Sequence, residues 1–407
     1  MPYRKILCRL LGVFAIPFLC CGGCIHMPAY ASTFVRGADI SWSTQLQTLG
    51  YSWEDQNQVS RSALQILKNH GVNLIRIRTF VNPTISPGSL GVGNMNQAGS
   101  IALAQAASAM GFQIMIDFHY SDTWADPGHQ TIPAAWSSYN YAEMETAVYN
   151  YTYNFMKALA AAGVYPQYVQ VGNEISNGML WPIGEATVNP SQLAGLINNG
   201  YKAVKAVSSS TKVVIHAANL SNLSDIEWIL DLIKSYGGTW DVSGFSYYDG
   251  PGTLSTITSN LATLASRYGK PVMICEIGHT ESDYMGSADD VKTAIEAVQS
   301  VPGSMGLGVI YWEPDAPDDA TTSNYSMGAV SEPSSKLLQF TPTIDQFLFT
   351  GSASGSDLTV NLPVASSWTE VQISNISISE GEAYVGFTVN AKAGNWVNVE
   401  KVQFELQ

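Results

Sequence analysis

The sequence predicts an α/β protein, a (β/α)8 TIM barrel followed by a small all-β C-terminal appendage. Three features predict it: a helix-glycine-strand pattern that recurs between residues 33 and 350, apolar rather than alternating strands, and a change of pattern near residue 351. Continuous apolar runs are typical of parallel strands buried on both faces. Eight strand-helix units in about 320 residues fit the size of such a barrel.

The repeated pattern is clearest in five segments, in each of which a helical stretch ends at a glycine and a short β-rich run follows. Glycine tolerates the left-handed conformation that commonly ends a helix. The five residues are Gly71, Gly111, Gly163, Gly237 and Gly269. The runs "VRGADI" near Val35, "KVVIH" at 212–216 and "GLGVIYW" at 306–312 bring the strand count to eight. A doubly wound open sheet is the alternative, but no G-x-G-x-x-G follows the first strand, as its dinucleotide-binding form requires.

Residues 1–31 have the pattern of a secretory signal peptide cut after Ala31. Basic residues precede an apolar stretch at 10–21, and Ala29-Tyr30-Ala31 forms a small-x-small cleavage pattern. The apolar stretch is too short for a comfortable membrane span. We therefore expect a secreted, extracellular protein that has no membrane association after cleavage, with a lipoprotein anchor at Cys24 as the alternative.

The small-residue linker "GSASGSD" at 351–357 separates two kinds of sequence. After it come short alternating runs such as "LTVNLPV" and "EAYVGFTV", which are typical of strands. This change assigns residues 32–350 to the barrel and 351–407 to a small β domain.

The charge of the chain excludes several classes of partner. A formal net charge of −14 and a pI near 4.7 disfavour nucleic acid and anionic membranes, so we expect a neutral substrate and a monomer. Four of the five cysteines lie in the signal segment, which leaves Cys275. Because it lies in an apolar run with no histidine at hydrogen-bonding spacing, we interpret Cys275 as a small core residue.

Barrel enzymes build their active sites at the carboxyl ends of the strands. Every predicted strand end here is polar or aromatic, which favours a shared cleft over eight unrelated loops. In chain order these ends are Asp39, Arg78, His119, Asn173 with Glu174, His216, Tyr247 with Tyr248, Glu276 and Trp312.

Glu174 and Glu276 end the fourth and seventh strands, so their side chains can face each other across the barrel mouth. Hydrolysis of a glycosidic bond needs such a pair, one to protonate the leaving oxygen and one to attack or to activate water. We expect Arg78 and Tyr247 to keep Glu276 ionised, which leaves Glu174 as the acid/base. Asn173 is suited to donate to the sugar 2-hydroxyl.

Aromatic residues are dense near these ends and indicate a polysaccharide substrate, because sugar C–H faces pack on aromatic rings. They are Tyr120, Trp124, Trp181, Tyr248 and Trp312. His119 and His216 lack the H-x-x-x-H or H-x-H spacing of a metal site, so we assign them to substrate binding and expect no metal there.

Seven blocks in order, among them "DFHYSDTWADPG", "GNEISNGMLWP" and "GLGVIYWEPD", resemble glycoside hydrolase family 53, the arabinogalactan endo-β-1,4-galactanases. The resemblance implies retaining cleavage of β-1,4-galactan, the type I arabinogalactan of pectin side chains. It assigns Glu174 as acid/base and Glu276 as nucleophile, and retention predicts carboxyl groups roughly 5 to 5.5 Å apart. The family positions that line the subsites or support the nucleophile correspond in this chain to Arg78, His119, Asn173, Tyr247 and Trp312.

The chain departs from the family in three places. The segment "GHTESDYMGSADD" lacks the ligand series with which bacterial members bind calcium, so we expect no required cofactor, with a structural calcium as the alternative. "DGPGT" at 249–253 replaces a more aromatic continuation of the sixth strand. The tail is similar to the closing strands of a galactan-associated carbohydrate-binding module but has no counterpart of its opening half, which indicates a partial module. Two alternatives stay open: another retaining barrel glycosidase acting on β-mannan, β-glucan or xylan, and a non-catalytic polysaccharide-binding barrel.

Overall fold

Eight parallel strands close into a barrel in the computed structural model, which describes residues 34–85, 90–248, 254–318 and 325–348. The strands are β1 Val35–Asp39, β2 Leu74–Thr79, β3 Gln113–Phe118, β4 Tyr168–Val171, β5 Lys212–Ala217, β6 Val242–Tyr247, β7 Val272–Ile277 and β8 Gly306–Trp312. Each pairs with its neighbour in the chain, and β8 returns to pair with β1. The predicted barrel is confirmed, and the open-sheet alternative is wrong.

Within the described ranges, eight α-helices accompany the strands. They are α1 Ser43–Thr48, α2 Ala63–Asn69, α3 Gln97–Ala109, α4 Tyr141–Ala161, α5 Pro190–Val207, α6 Leu223–Ser235, α7 Leu254–Tyr268 and α8 Tyr284–Gln299. Helices α2 to α8 form the crossovers between successive strands. A 3-10 helix, Pro342–Leu348, follows β8 and packs against α8.

Local sequence accounts for several helix ends. Asn140 and Glu143 form a capping box at the start of α4, in which each side chain accepts the other residue's backbone N–H. Proline occupies the first turn of α5. The five glycines expected to end helices have φ between 61° and 83°, so that prediction is confirmed.

Side chains of the strands alternate between the barrel interior and the layer beneath the helices. Leu74, Met115 and Met273 belong to a small apolar cluster inside the lower barrel, and Cys275 lies in it fully buried, as expected for a core residue. A β-carbon at Gly244 would lie 2.4 Å from the sulfur of Cys275, so glycine is needed for this close packing.

Short strands in the loops form two further sheets that sequence patterning does not predict. Ser52–Glu54, Ser60–Arg61, Val330–Ser334 and Leu337–Phe340 form a four-stranded sheet that joins the first loop to the segment after β8. Gly178–Met179 pairs with Gly184–Glu185 after β4. Strands of two to five residues carry too little periodicity to be read from sequence.

Several predictions fall on segments outside the described residues: the signal peptide at 1–31, the "DGPGT" loop at 249–253 and the β appendage at 351–407. Within the described ranges, no helix combines the length and apolar character required to cross a membrane.

Candidate active site

A pocket with a volume of about 210 Å³ opens at the carboxyl ends of the strands. Both glutamates predicted to be catalytic line it, together with four of the side chains predicted to bind substrate. Its lining residues are His119, Trp124, Ala125, Asp126, Asn173, Glu174, Tyr248, Glu276 and Trp312. The barrel mouth therefore holds two carboxyl groups and two tryptophans in one cleft.

Glu174 follows β4 in the left-handed conformation, with φ 45° and ψ 52°. A non-glycine residue adopts this backbone at a cost, and such strain is concentrated at functional sites. The Glu174 Oε1 accepts a 2.6 Å hydrogen bond from Ser246 Oγ. Burial raises the pKa of Glu174 to about 8, and the negative charge of Glu276 adds to that rise. A carboxyl group in this setting is suited to carry a proton at neutral pH.

Glu276, near the end of β7, has two strong donors instead of one. Arg76 Nη1 lies 3.0 Å from its Oε1, and the Tyr248 hydroxyl donates to its Oε2 at 3.0 Å. Burial raises the pKa of Glu276, while the Arg76 guanidinium and the Tyr248 hydroxyl oppose that rise. The cation and the hydroxyl favour the ionised form of Glu276, so the two glutamates differ in environment as an acid and a nucleophile must.

Neither residue that was expected to support Glu276 contacts it. In each case a residue one or two positions away in the sequence makes the contact. Arg76 makes the ion pair in place of Arg78, and Tyr248 makes the hydrogen bond in place of Tyr247. Both arginines face the interior, because they are two residues apart on β2. Tyr247, the last residue of β6, is buried in the main hydrophobic core. Tyr248 follows the end of the strand, and its side chain lines the pocket.

Arg78 instead lies in a box of aromatic rings beside the pocket. Its guanidinium carbon is 4.9, 4.8 and 5.4 Å from the ring centres of Trp42, Trp124 and Trp312. It forms ion pairs with Glu313 and, at 3.1 Å, with Asp39. Asp39 and Arg78 are fully buried and do not line the pocket, which corrects the expectation that both strand ends contact substrate in the shared cleft. They support the two tryptophans that do line it.

A charged layer beneath the pocket centres on Arg76. Its guanidinium contacts Asp39 at 3.1 Å and Asp117 at 2.9 Å, and it donates to the Asn173 Oδ1 at 2.9 Å. The other end of the Asn173 amide donates to the Ala125 carbonyl at 2.8 Å. Arg76 therefore orients both Glu276 and Asn173, although sequence reasoning missed it. Its inward position two residues before Arg78 in "LIRIR" was the available signal.

The two histidines that were predicted to bind substrate, His119 and His216, differ in their position relative to the pocket. The His119 Nδ1 accepts the Ala125 N–H at 3.0 Å and so holds the loop that forms one pocket wall, while its Nε2 lies 3.2 Å from Asp117 on β3. His216 is fully buried behind Glu174 and does not line the pocket, which corrects its assignment to substrate binding.

Two predicted aromatic contacts are also wrong. Tyr120 is buried and its hydroxyl pairs with Thr152 of α4 at 2.6 Å, away from the pocket. Trp181 donates its indole N–H to the Asn177 carbonyl within the loop after β4, and it is absent from the pocket wall. Strand-end position indicates the correct edge of the barrel but not the direction in which a side chain points.

The loop after β7 does not present a calcium-binding set. Residues 278–283 alone connect β7 to α8, and His279 occupies the carboxylates of Asp283 and Asp290 at 3.4 and 2.7 Å. Calcium takes six to eight oxygen ligands. No group of three His, Cys, Asp or Glu side chains with metal-binding geometry occurs among the described residues.

Comparison with known proteins agrees with this geometry. The family model described as "Glycosyl hydrolase family 53" matches residues 35–348. A probable arabinogalactan endo-β-1,4-galactanase A of Neosartorya fischeri is 34% identical over 316 residues, which cover 71% of this chain and 86% of that protein. An endo-β-1,4-galactanase of Bacillus subtilis is 32% identical over 305 residues, covering 69% and 70%.

A solved structure of a fungal β-1,4-galactanase superimposes with a TM-score of 0.68 at 30% identity and covers 77% of this chain and 99% of its own. The region that the family model matches, residues 35–348, contains the whole barrel and both pocket glutamates. The chain therefore belongs to glycosyl hydrolase family 53 and is a glycosidase.

Proposed function

We propose that the protein is a secreted, retaining endo-β-1,4-galactanase that cleaves the galactan side chains of pectin. The observation that carries the proposal is the pair Glu174 and Glu276, which line one pocket but have different hydrogen-bond partners. The relatives named as endo-β-1,4-galactanases support the substrate. The signal pattern at 1–31 supports secretion.

In the proposed reaction Glu276 attacks the anomeric carbon while Glu174 protonates the leaving oxygen. Water then hydrolyses the glycosyl ester, and Glu174 takes the proton from that water. The Arg76 cation and the Tyr248 hydroxyl stabilise the carboxylate of Glu276 before attack and after its release. Retention requires the two carboxyl groups to lie about 5 to 5.5 Å apart.

The aromatic wall favours a chain of sugars as substrate. Trp124 and Trp312 line the pocket on the side of the aromatic box, with ring centres 6.1 Å apart, and can pack against sugar C–H faces. An uncharged polysaccharide also suits a chain with a net charge of −14. A non-catalytic binding barrel is disfavoured because it required the glutamates to be separated or sequestered.

The proposal is tested by incubating the protein with linear β-1,4-galactan and with β-mannan, β-glucan and xylan. We expect internal cleavage of galactan alone, with the newly formed reducing end first appearing as the β-anomer by NMR. Preference for another polysaccharide would contradict the substrate, and initial release of the α-anomer would contradict retention.

Azide distinguishes the roles of the two glutamates. In Glu174→Ala, azide should attack the glycosyl-enzyme and release a β-galactosyl azide. In Glu276→Ala, azide should replace the missing nucleophile and give the α-azide. The reverse pairing of products would exchange the two roles.

A further inference from the structure

A buried chain of two side chains lies behind the carboxyl group of Glu174. Ser246 Oγ is 2.6 Å from Glu174 Oε1, and His216 Nε2 is 2.9 Å from Ser246 Oγ. Ser246 and His216 are 2% and 0% exposed, on β6 and β5, and neither lines the pocket. Because these side chains do not line the pocket, they can act on the reaction only through the pocket residues that they contact. Ser246 contacts Glu174, and the Nδ1 of His216 faces Asn173 Oδ1 at 3.1 Å.

The position of the proton on His216 follows from the groups around its Nδ1. Gln170 Oε1 accepts from Arg76 at 3.0 and 3.2 Å, so the Gln170 amide nitrogen must be the end that faces His216 Nδ1 at 3.1 Å. The backbone N–H of Glu174 also points at Nδ1, at 3.4 Å. The two hydrogens of the Gln170 amide nitrogen are shared among several acceptors, the nearest of which is Asp117 Oδ1 at 2.6 Å, so the Glu174 N–H decides the role of Nδ1. The described acceptor near Nδ1 is Asn173 Oδ1, which already accepts from Arg76 at 2.9 Å. Nδ1 is therefore an acceptor, and the proton is on Nε2.

This tautomer sets the direction of the next two hydrogen bonds. The His216 Nε2–H donates to Ser246 Oγ, and the Ser246 hydroxyl hydrogen then points to Glu174 Oε1. Burial and the Arg76 charge hold the pKa of His216 well below its ordinary value, so the ring keeps a single N–H. With Oε1 accepting, the proton of the neutral acid resides on Oε2.

We propose that Ser246 and His216 are positioning residues that hold Glu174 with its acid proton on Oε2, an inference that rests on the proposed glycosidase function. As the anomeric C–O bond breaks, its electron pair goes to the leaving oxygen, which takes the proton from Oε2, while a Glu276 oxygen bonds to the anomeric carbon. Water then displaces Glu276, whose carboxylate regains its electron pair, and the proton of that water returns to Oε2.

Charged groups that face Glu174 come from three other elements. Glu276 on β7 and Asp126 in the loop after β3 disfavour its ionised form, and Arg76 on β2 favours it. Ser246 differs from them because it is neutral and contacts one carboxyl oxygen only. Its removal should therefore change both the pKa of Glu174 and the oxygen that carries the proton.

The test compares substrates that differ in their need for a proton. On linear galactan the leaving sugar must be protonated, whereas the dinitrophenolate of a 2,4-dinitrophenyl β-1,4-galactobioside leaves without help. For Ser246→Ala we expect kcat/KM to fall about 10- to 100-fold on galactan and far less on the dinitrophenyl substrate. The basic limb of kcat/KM should move to higher pH, because the carboxylate loses a donor.

Matched variants control for folding and for the hydroxyl group. Ser243→Ala removes another buried serine of β6, whose Oγ accepts from the Trp240 indole at 3.0 Å, and should leave kcat/KM unchanged. Ser246→Thr keeps a hydroxyl and should restore activity. In His216→Gln the amide nitrogen can reach the place of Nε2, whereas the shorter amide of His216→Asn replaces Nδ1 alone. We expect the Asn variant to resemble Ser246→Ala and the Gln variant to be milder.

Equal losses of Ser246→Ala on both substrates, or an unmoved basic limb, would overturn the proposal. If Ser246→Ala does not fold, the two His216 variants provide the same comparison, and identical behaviour of the pair would overturn it. A readout without turnover separates this inference from the galactanase proposal: in a Glu276→Gln background, the 13C carboxyl titration of Glu174 should move to higher pH in Ser246→Ala. An unchanged titration would contradict the positioning role even if no galactan is cleaved.

Discussion

The lower and upper halves of the barrel interior use the same strands for different purposes. On β2 the inward residues change from Leu74 to Arg76 in one step of two residues, and on β3 from Met115 to Asp117. The lower half packs apolar side chains, whereas the upper half holds ion pairs and amides beneath the pocket. The same alternation that buries a core therefore also aims charged groups into the mouth.

The two halves should respond differently to substitution. Apolar packing depends on volume, and its loss lowers the free energy of unfolding without changing the chemistry of the pocket. A buried charge network depends above all on its shared cation, because removing Arg76 leaves several buried carboxylates without compensation.

Glu276→Gln tests whether the upper half carries the chemistry. We expect kcat/KM on galactan to fall at least about 10³-fold, because the nucleophile is lost. Stability should change little, since Arg76 keeps Asp39 at 3.1 Å and Asp117 at 2.9 Å. Reducing-end release and thermal unfolding measure the two effects. Glu296→Gln, whose side chain on α8 is 53% exposed, is the control and should be fully active.

Arg76→Met tests the interdependence of the charged layer. We expect the free energy of unfolding at pH 7 to fall by about 3–5 kcal/mol, because three buried carboxylates lose their shared cation. The difference from wild type should shrink near pH 4, where protonated carboxyl groups no longer need that cation. Urea titrations at both pH values measure it. An equal difference at both would show that packing, not charge, is lost.

Met273→Ala is the matching test of the lower half. The side chain is fully buried in the apolar interior cluster, so we expect a loss of about 2–4 kcal/mol in the free energy of unfolding. The activity of the folded fraction on galactan should equal that of wild type. A large change in kcat with intact folding would mean that the two halves are coupled.

Asp315→Asn tests the cost of one buried carboxyl group that lies beside the charged layer. Among the described residues, no other residue donates a hydrogen bond to either Asp315 oxygen, and burial raises its pKa from 3.8 to about 7. The folded state therefore binds the Asp315 proton more tightly than the unfolded state, and the stability from protonation is lost as pH rises from about 4 to about 7.

The neutral asparagine avoids that loss. We expect Asp315→Asn to raise the free energy of unfolding by about 1 kcal/mol at pH 8 and to have little effect at pH 4. Thermal unfolding across this range measures the difference. A variant that is less stable than wild type at pH 8 would indicate that the charge of Asp315 has a favourable partner.

Much of the barrel architecture could be predicted from the pattern of apolar residues and glycines in the sequence. Apolar runs and helix-ending glycines predicted eight strands, and the strand ends predicted which edge carries the site. The same reasoning misassigned Arg78, Tyr247, Tyr120 and Trp181, and it missed Arg76 and Ser246. Two causes account for them. Each step along a strand turns the side chain to the other face, which misplaces Tyr247. The sequence also does not give the depth of an inward side chain such as Arg78 or the direction of a loop side chain such as Trp181.

By itself, the sequence determined the barrel, the family and the two glutamates, because apolar periodicity, glycine position and a carboxylate at the end of a buried run are local features. Three-dimensional packing sets which cation contacts Glu276, which hydroxyl donates to Glu174 and which tryptophans line the pocket. Those contacts join residues from different strands, for example Arg76 with Glu276, and their distances depend on barrel closure and side-chain direction.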